Sequence, residues 1–213
     1  MKRVVLLSCV IVPMLFGLIA AGEQPPAQTN VVYVENAVVK PGQSFSVKVY
    51  LNNIDTVSGV QVPIFYRSDK IKLICDSVSF IGSVMEKFQL LDVKIPLTCE
   101  KCSTMFINPT KNPGICDKEG CRGKLYQKDQ VVYFSTIDNT DLKSNVSPIF
   151  PGKGLIATIY FTVPSNSQLG IVNLTRGMIP NSAVSYTFDV WNTMGTDVDA
   201  VFNDGKIEVK DVK

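Results

Sequence analysis

Histidine is absent from the 213 residues of the chain. With it go the Ser-His-Asp and Cys-His nucleophile systems, His-ligated metal sites and the side chain that most often serves as general base near neutral pH. Charge is also scarce: 19% of residues are charged, and the 21 basic side chains exceed the 19 acidic ones by two. Lys2 and Arg3 account for that excess, so the rest of the chain is balanced and has no net pull toward DNA, RNA or anionic lipid. No nucleic-acid partner is expected. Helical periodicity is missing too, since no stretch between residues 31 and 210 sustains apolar positions at a spacing of 3.6. Neither Gly-x-Ser-x-Gly nor Ser-x-x-Lys occurs, and no cofactor motif is found, so the chain is expected to catalyse nothing and to need no cofactor.

One long apolar run is present, and it lies at the start. Residues 1–22 open with Lys2-Arg3, run apolar from Val4 to Ala20, and end in Ala20-Ala21-Gly22. This is the pattern of a secretory signal peptide with cleavage expected before Glu23. The run is short for a membrane span and is followed by a polar, Pro-containing stretch instead of a basic stop-transfer cluster. Cys9 lies inside it and not at the cleavage point. A secreted protein is therefore expected, extracellular, periplasmic or at the cell surface, with no membrane insertion after cleavage. Residues 23–30, with Pro25-Pro26, read as a linker, and 31–213 as one domain.

Strand signals fill that domain. Phe45, Val47, Val49 and Leu51 alternate with Ser44, Ser46, Lys48 and Tyr50, predicting a half-buried strand over 43–52. The same pattern puts Val60, Val62, Ile64 and Tyr66 inward over 60–66, and Leu155, Ala157, Ile159, Phe161 and Val163 inward over 154–163. Further strands are expected at 31–35, 77–81, 88–95, 131–137, 170–174, 184–190 and 205–210, separated by turns such as Pro41-Gly42, Pro151-Gly152 and Asn203-Asp204-Gly205. Many short strands with regular breakers, about nine in all, predict an all-β sandwich.

The pattern stops at 96–128, which holds Cys99, Cys102, Cys116 and Cys121 among several Pro and Gly residues. The segment reads as an irregular insertion, too short to hold shape without cross-links. Four thiolates in two closely spaced pairs could surround a tetrahedral zinc, whereas an oxidising compartment would convert them into two disulfides. The compartment argument makes disulfides the expectation and zinc the alternative, with no metal assigned. Cys75, at the end of an apolar run, reads as a small buried hydrophobe.

The carboxylates offer little. Asp138-Asn139-Thr140-Asp141 and Asp197-Val198-Asp199 lack the glycine and distal Glu of a calcium loop and read as turns. A hydrolase with paired carboxylates is the weakest reading. The strand alternation points Tyr50, Phe65 and Tyr160 outward, where a ring could stack on a sugar or anchor a protein.

In order, Val39-Lys40-Pro41-Gly42-Gln43-Ser44-Phe45, the run from Val57 to Tyr66, the run from Gly154 to Val163 and the closing Asp204-Gly205-Lys206-Ile207-Glu208-Val209 resemble a cohesin domain over residues 31–210. The resemblance implies a jelly-roll β-sandwich that is not an enzyme and binds a dockerin-like protein. It also implies that Gln61, Pro63 and Phe65 lie on the outer face of the contacting sheet. A secreted, monomeric binding or assembly module is the resulting expectation, with a carbohydrate-binding module that recognises polysaccharide as the alternative.

Overall fold

A computed structural model of the chain describes residues 29–88, 90–107, 114–137, 147–179 and 186–211. The expected leader, all but the last two positions of the linker and the 138–141 motif lie outside the described residues. These residues contain no helix and fifteen strands, more than the sequence predicts. A five-stranded sheet runs in the order β14 (Ala200–Asn203), β1 (Asn30–Val34), β3 (Ser44–Asn53), β11 (Gly152–Thr162) and β5 (Ile74–Ser79). A larger sheet runs β2 (Ala37–Val39), β15 (Gly205–Val209), β12 (Gly170–Arg176), β4 (Val57–Arg67), β10 (Val131–Ile137) and β6 (Leu90–Lys94), with β13 (Asp189–Asn192) also paired to β4.

The two sheets face each other across one core. Val47, Val49 and Leu51 of β3, Val60, Val62, Ile64 and Tyr66 of β4, and Ile159 and Phe161 of β11 are all buried in it. Each such side chain contributes about 1.5–3 kcal/mol by leaving water. The alternation expected over 43–52 and 60–66 therefore matches the observed inner faces. Tyr66 and Phe45 pack their rings against Phe161 with centroids 5.2 and 5.8 Å away.

In β11 the expected alternation breaks. Leu155 pairs with outward Tyr50 while Ala157 pairs with inward Val49, because a bulge inserts Ile156 between them. Ile156 enters the core together with Ala157, and Leu155, expected inward, sits half-buried on the outer side. A bulge sets two residues against one on the partner strand, so the side chains before it change face.

Several boundaries also move: the strands expected at 77–81, 88–95 and 184–190 are found as β5 (Ile74–Ser79), β6 (Leu90–Lys94) and β13 (Asp189–Asn192). Asn30, placed in the linker by the sequence, begins β1 and is buried. Its side-chain amide donates to Asp55 Oδ2 and Asp199 O, both at 2.8 Å, and its carbonyl oxygen accepts from the backbone N–H groups of Ile54 and Asp55. The side chain thus ties the β3–β4 turn to the segment entering β14. The 96–128 insertion, expected to be irregular, carries a third sheet of β8 (Met105–Phe106), β7 (Leu97–Cys99) and β9 (Leu125–Tyr126). Gln127 hooks its C-terminal end to the core: its Oε1 accepts from Tyr66 OH and from the Cys75 N–H, and its Nε2 donates to Cys75 O.

Val49→Ala, Ile64→Ala and Ile159→Ala should each cost about 2–4 kcal/mol in chemical denaturation, since lost transfer energy adds to a cavity. Lys48→Ala, on the outer side of β3, should stay within about 0.5 kcal/mol. Equal losses at Val49 and Lys48 would contradict the register. No described residue of the insertion belongs to the buried set of the main core. Replacing residues 99–121 by a short Gly-Ser linker should accordingly preserve the β-type circular dichroism spectrum and cooperative unfolding, whereas loss of both would make the insertion part of the folding unit.

Candidate functional site

The larger sheet has an outer face whose centre the chain itself covers. Segment 177–179, Tyr186 and Ile107 pack over Phe65, Val131 and Tyr133 to form a second, smaller apolar cluster. Gly177 makes the crossing possible: a Cβ there would lie 3.0 Å from Phe65 N, and its N–H donates to Pro63 O at 2.9 Å. Tyr133 and Tyr186 meet edge to face at 4.7 Å. Buried Lys94, paired with Asp92, brings its ammonium to 5.8 and 5.2 Å from those two rings.

This cover decides the state of the face residues singled out from the sequence. Gln61, Pro63 and Phe65 do share the outer face of β4, but Pro63 is buried and the other two are half-buried. Gln61 spends its amide internally, donating to Thr187 O and Asp189 Oδ2 and accepting from Tyr133 OH at 2.9 Å. Phe65 carries the Arg67 guanidinium 3.4 Å above its ring centroid. The sequence pattern of β4 shows which face these residues occupy and cannot show that a distant loop crosses it.

Open surface remains beside the cover. Val38 and Ile171 are about half exposed and stand in line across β2, β15 and β12, both flanking Glu208. Asn173 pairs with Arg67 one step further on. Next to them lies a groove of about 660 Å³ lined by Arg67, Lys70, Lys72, Lys128, Ile171 and Asn173 among others. Sequence reasoning passed over Ile171, although its outward alternation with Val172 and Leu174 is the signal that could have found it.

On the opposite sheet, Tyr50 stacks on Tyr33 at 5.2 Å and 15°, and Lys153 Nζ lies 5.2 and 5.3 Å from the two ring centroids. Tyr50 OH donates to Glu35 Oε1 at 3.0 Å. Tyr160 lies on the same outer face and is exposed. Tyr50 and Tyr160 are thus on one face, away from Gln61, Pro63 and Phe65, so the five residues do not form a single site. The ring faces of Tyr33 and Tyr50 are turned to each other and to Lys153, leaving Tyr160 as the freer ring of the three.

The four insertion cysteines converge. Their Sγ atoms all lie within 4.8 Å of one another, with Cys99 to Cys121 at 3.5 Å and Cys102 to Cys116 at 3.7 Å. A disulfide needs about 2.05 Å, and neither of these two pairs stands at that distance. Four sulfurs facing one centre, instead of two separate pairs, is what the linear spacing left open. The hydrogen bonds of Thr104 hold the Cys102 thiol down to about 6, while burial pushes Cys116 up to about 12. Asp197 of the other acidic motif bridges to Trp191, and the Asp199 carbonyl receives Asn30, which are turn roles.

No protein-family model and no curated protein matches the chain. Its fold does match solved structures. A type I cohesin–dockerin complex of the OlpA cohesin from Clostridium thermocellum aligns over 86% of this chain and 100% of that one, with TM-score 0.56 and 16% identity. A non-cellulosomal cohesin from Archaeoglobus fulgidus covers 86% and 93%, with TM-score 0.54 and 13% identity. The third cohesin of ScaC from Acetivibrio cellulolyticus, in complex with the ScaB dockerin, covers 85% and 99% at TM-score 0.55 and 17% identity. The chain therefore has the cohesin fold, an all-β sandwich.

Cys75 is buried, and burial raises its thiol pKa far above the ordinary value of 9.0. Burial likewise raises Tyr66, and Tyr133 to about 12, from 10.0. All three hold protons in the folded state that the unfolded chain releases above pH 9 to 10, so unfolding there sheds protons and stability falls as pH rises. Denaturant midpoints should decline from about pH 9 upward, and Cys75→Val should remove the first part of that decline. A flat profile to pH 10.5 (about one unit above the mean of the two unfolded values) would contradict the burial of these groups.

Proposed function

We propose that the domain is a non-catalytic binding and assembly module that engages a dockerin-type protein partner through the uncovered part of its larger sheet. The observation that carries this reading is the cohesin fold itself, since two of the similar structures are cohesins bound to dockerins. The exposed row of Val38 and Ile171, with Arg67 and Asn173 alongside, supplies an apolar centre with a polar rim on a preformed sheet, the composition that protein interfaces favour. Polysaccharide is the weaker ligand because Tyr33 and Tyr50 use their faces on each other and on Lys153. The leader pattern of residues 1–22 supports export, and the module is proposed to act outside the cytoplasm as a monomer.

Calorimetric titration with a panel of dockerin domains tests this, alongside pull-down on insoluble polysaccharides. One dockerin should bind at about micromolar Kd or tighter. Ile171→Asp should weaken that binding by about tenfold or more, equivalent to roughly 1.4 kcal/mol, while Lys48→Glu on the opposite sheet leaves it unchanged. Failure of every dockerin, with retention on a polysaccharide that Tyr160→Ala abolishes, would overturn the proposal in favour of carbohydrate binding.

A further inference from the structure

The geometry of the insertion points to a structural zinc site in which Cys99, Cys102, Cys116 and Cys121 are the four ligands. Four sulfurs bound about 2.3 Å from one ion in a tetrahedron stand roughly 3.8 Å apart. The measured pairs at 3.5 and 3.7 Å, and the 4.8 Å limit on all of them, are close to that edge length and far from a disulfide bond. Among the described residues this is the one group of three or more Cys, Asp or Glu ligands close enough to share an ion.

The backbone carries the same device twice. Directly after the second cysteine of each pair stands a non-glycine residue in the left-handed region, Ser103 at φ 56° and Arg122 at φ 52°. That conformation is uncommon for such residues. Each one reverses the chain so that the first cysteine of its pair bonds back across the loop: Cys99 N–H to Thr104 O at 2.9 Å, and Cys116 N–H to Gly123 O at 2.8 Å. The two loops are then joined by Glu100 N–H to Lys124 O at 2.9 Å. Two like knuckles set against each other deliver four sulfurs to one point, which a pair of independent disulfides would not require. Gly123 leaves the room: a Cβ there would lie 2.5 Å from Cys99 Sγ and 3.0 Å from the Lys101 side chain.

Soft thiolate ligands in a tetrahedral set select zinc over the hard cations that oxygen ligands hold. With four protein ligands no coordination position is left for substrate, so the ion is structural and not catalytic. On binding, four Zn–S bonds form, each sulfur that enters as a thiol releases one proton to solvent, and no electrons are transferred. The stabilised element is a sheet with strands of two and three residues. Strands that short gain little from pairing alone, and the ion supplies the cross-link.

The full chain purified with reductant and zinc, then desalted, is assayed by elemental analysis and by thiol titration after denaturation with chelator. We expect about one zinc per chain, with every cysteine titratable. Cobalt in place of zinc should give thiolate charge-transfer and tetrahedral ligand-field absorption. The double substitution Cys99→Ser, Cys121→Ser should lose the zinc and the cobalt spectrum while keeping the β-type circular dichroism of the sandwich, and Cys75→Val should keep both. Trypsin should cut after Lys118, Arg122 or Lys124 in the double variant and in chelator, and leave the zinc-loaded chain intact there. Four missing thiols with no metal would show two disulfides and overturn the proposal. Zinc retained in the folded double variant would overturn it as well.

Discussion

Strand β4 is enclosed on both faces and paired along both edges, and most of the architecture is arranged around that enclosure. Its inner residues from Val60 to Tyr66 meet the smaller sheet, and its outer residues lie under segment 177–179, with Tyr186 and Ile107 packed in the same cluster. Along one edge β10 pairs with it from Phe65 to Gly59 without interruption. Along the other edge two strands share it: β12 pairs from Arg67 to Ile64 and β13 from Gln61 to Val57. Pro63 stands in the gap between them. A proline inside a sheet is normally confined to an edge or an irregularity because it has no N–H to give. Here the ladder changes partner at that position, and the chain leaving β12 uses the gap to cross the face, with Gly177 bonded to the Pro63 carbonyl.

That crossing determines what the sheet can offer a partner. A bare antiparallel face with Gln61, Pro63 and Phe65 outward would present a continuous docking surface. Instead Gln61 spends its hydrogen bonds on Thr187, Asp189 and Tyr133, Arg67 takes a ring face of Phe65, and Pro63 is buried. What is left is displaced toward β12, β15 and β2, where Val38 and Ile171 stand exposed beside a groove with several cationic side chains. Neighbours at 13–17% identity share the frame of the sandwich. Identity that low is enough to carry a fold and too little to carry an interface, which depends on a few side chains.

The central strands were legible because burial on one face imposes a period of two. In 43–52 and 60–66 every residue expected inward is in the core or packed against it, and the strand expected at 131–137 has the bounds of β10. Legibility ended where a side chain's position depends on distant partners. Leu155 and Ile156 are both aliphatic, so nothing in their order reveals the bulge that sends one out and the other in. Asn30 looks like linker because its four hydrogen bonds go to residues 24 to 169 positions away. The cysteines show the same limit. Their spacing is compatible with two bridges or one shared ion, and an oxidising compartment favours bridges. The convergence of all four sulfurs comes from two loops that pair only after the chain has folded.

The insertion and the outer face of the larger sheet are connected through packed side chains. Ile107, just past β8, is one of the side chains closing over Phe65 and Tyr133, and it is held there by a sheet of three very short strands. That sheet has two restraints. At one end Gln127 spans from Tyr66 to the Cys75 backbone, and at the other the cysteine loops interlock through the Glu100 to Lys124 hydrogen bond. Ile179 and Tyr186 pack in the same cluster, so the cover over the centre of the face does not rest on Ile107 alone. None of the four cysteines lines the groove, so any effect of their state on the larger sheet runs through the short strands that end near Ile107 and Gln127.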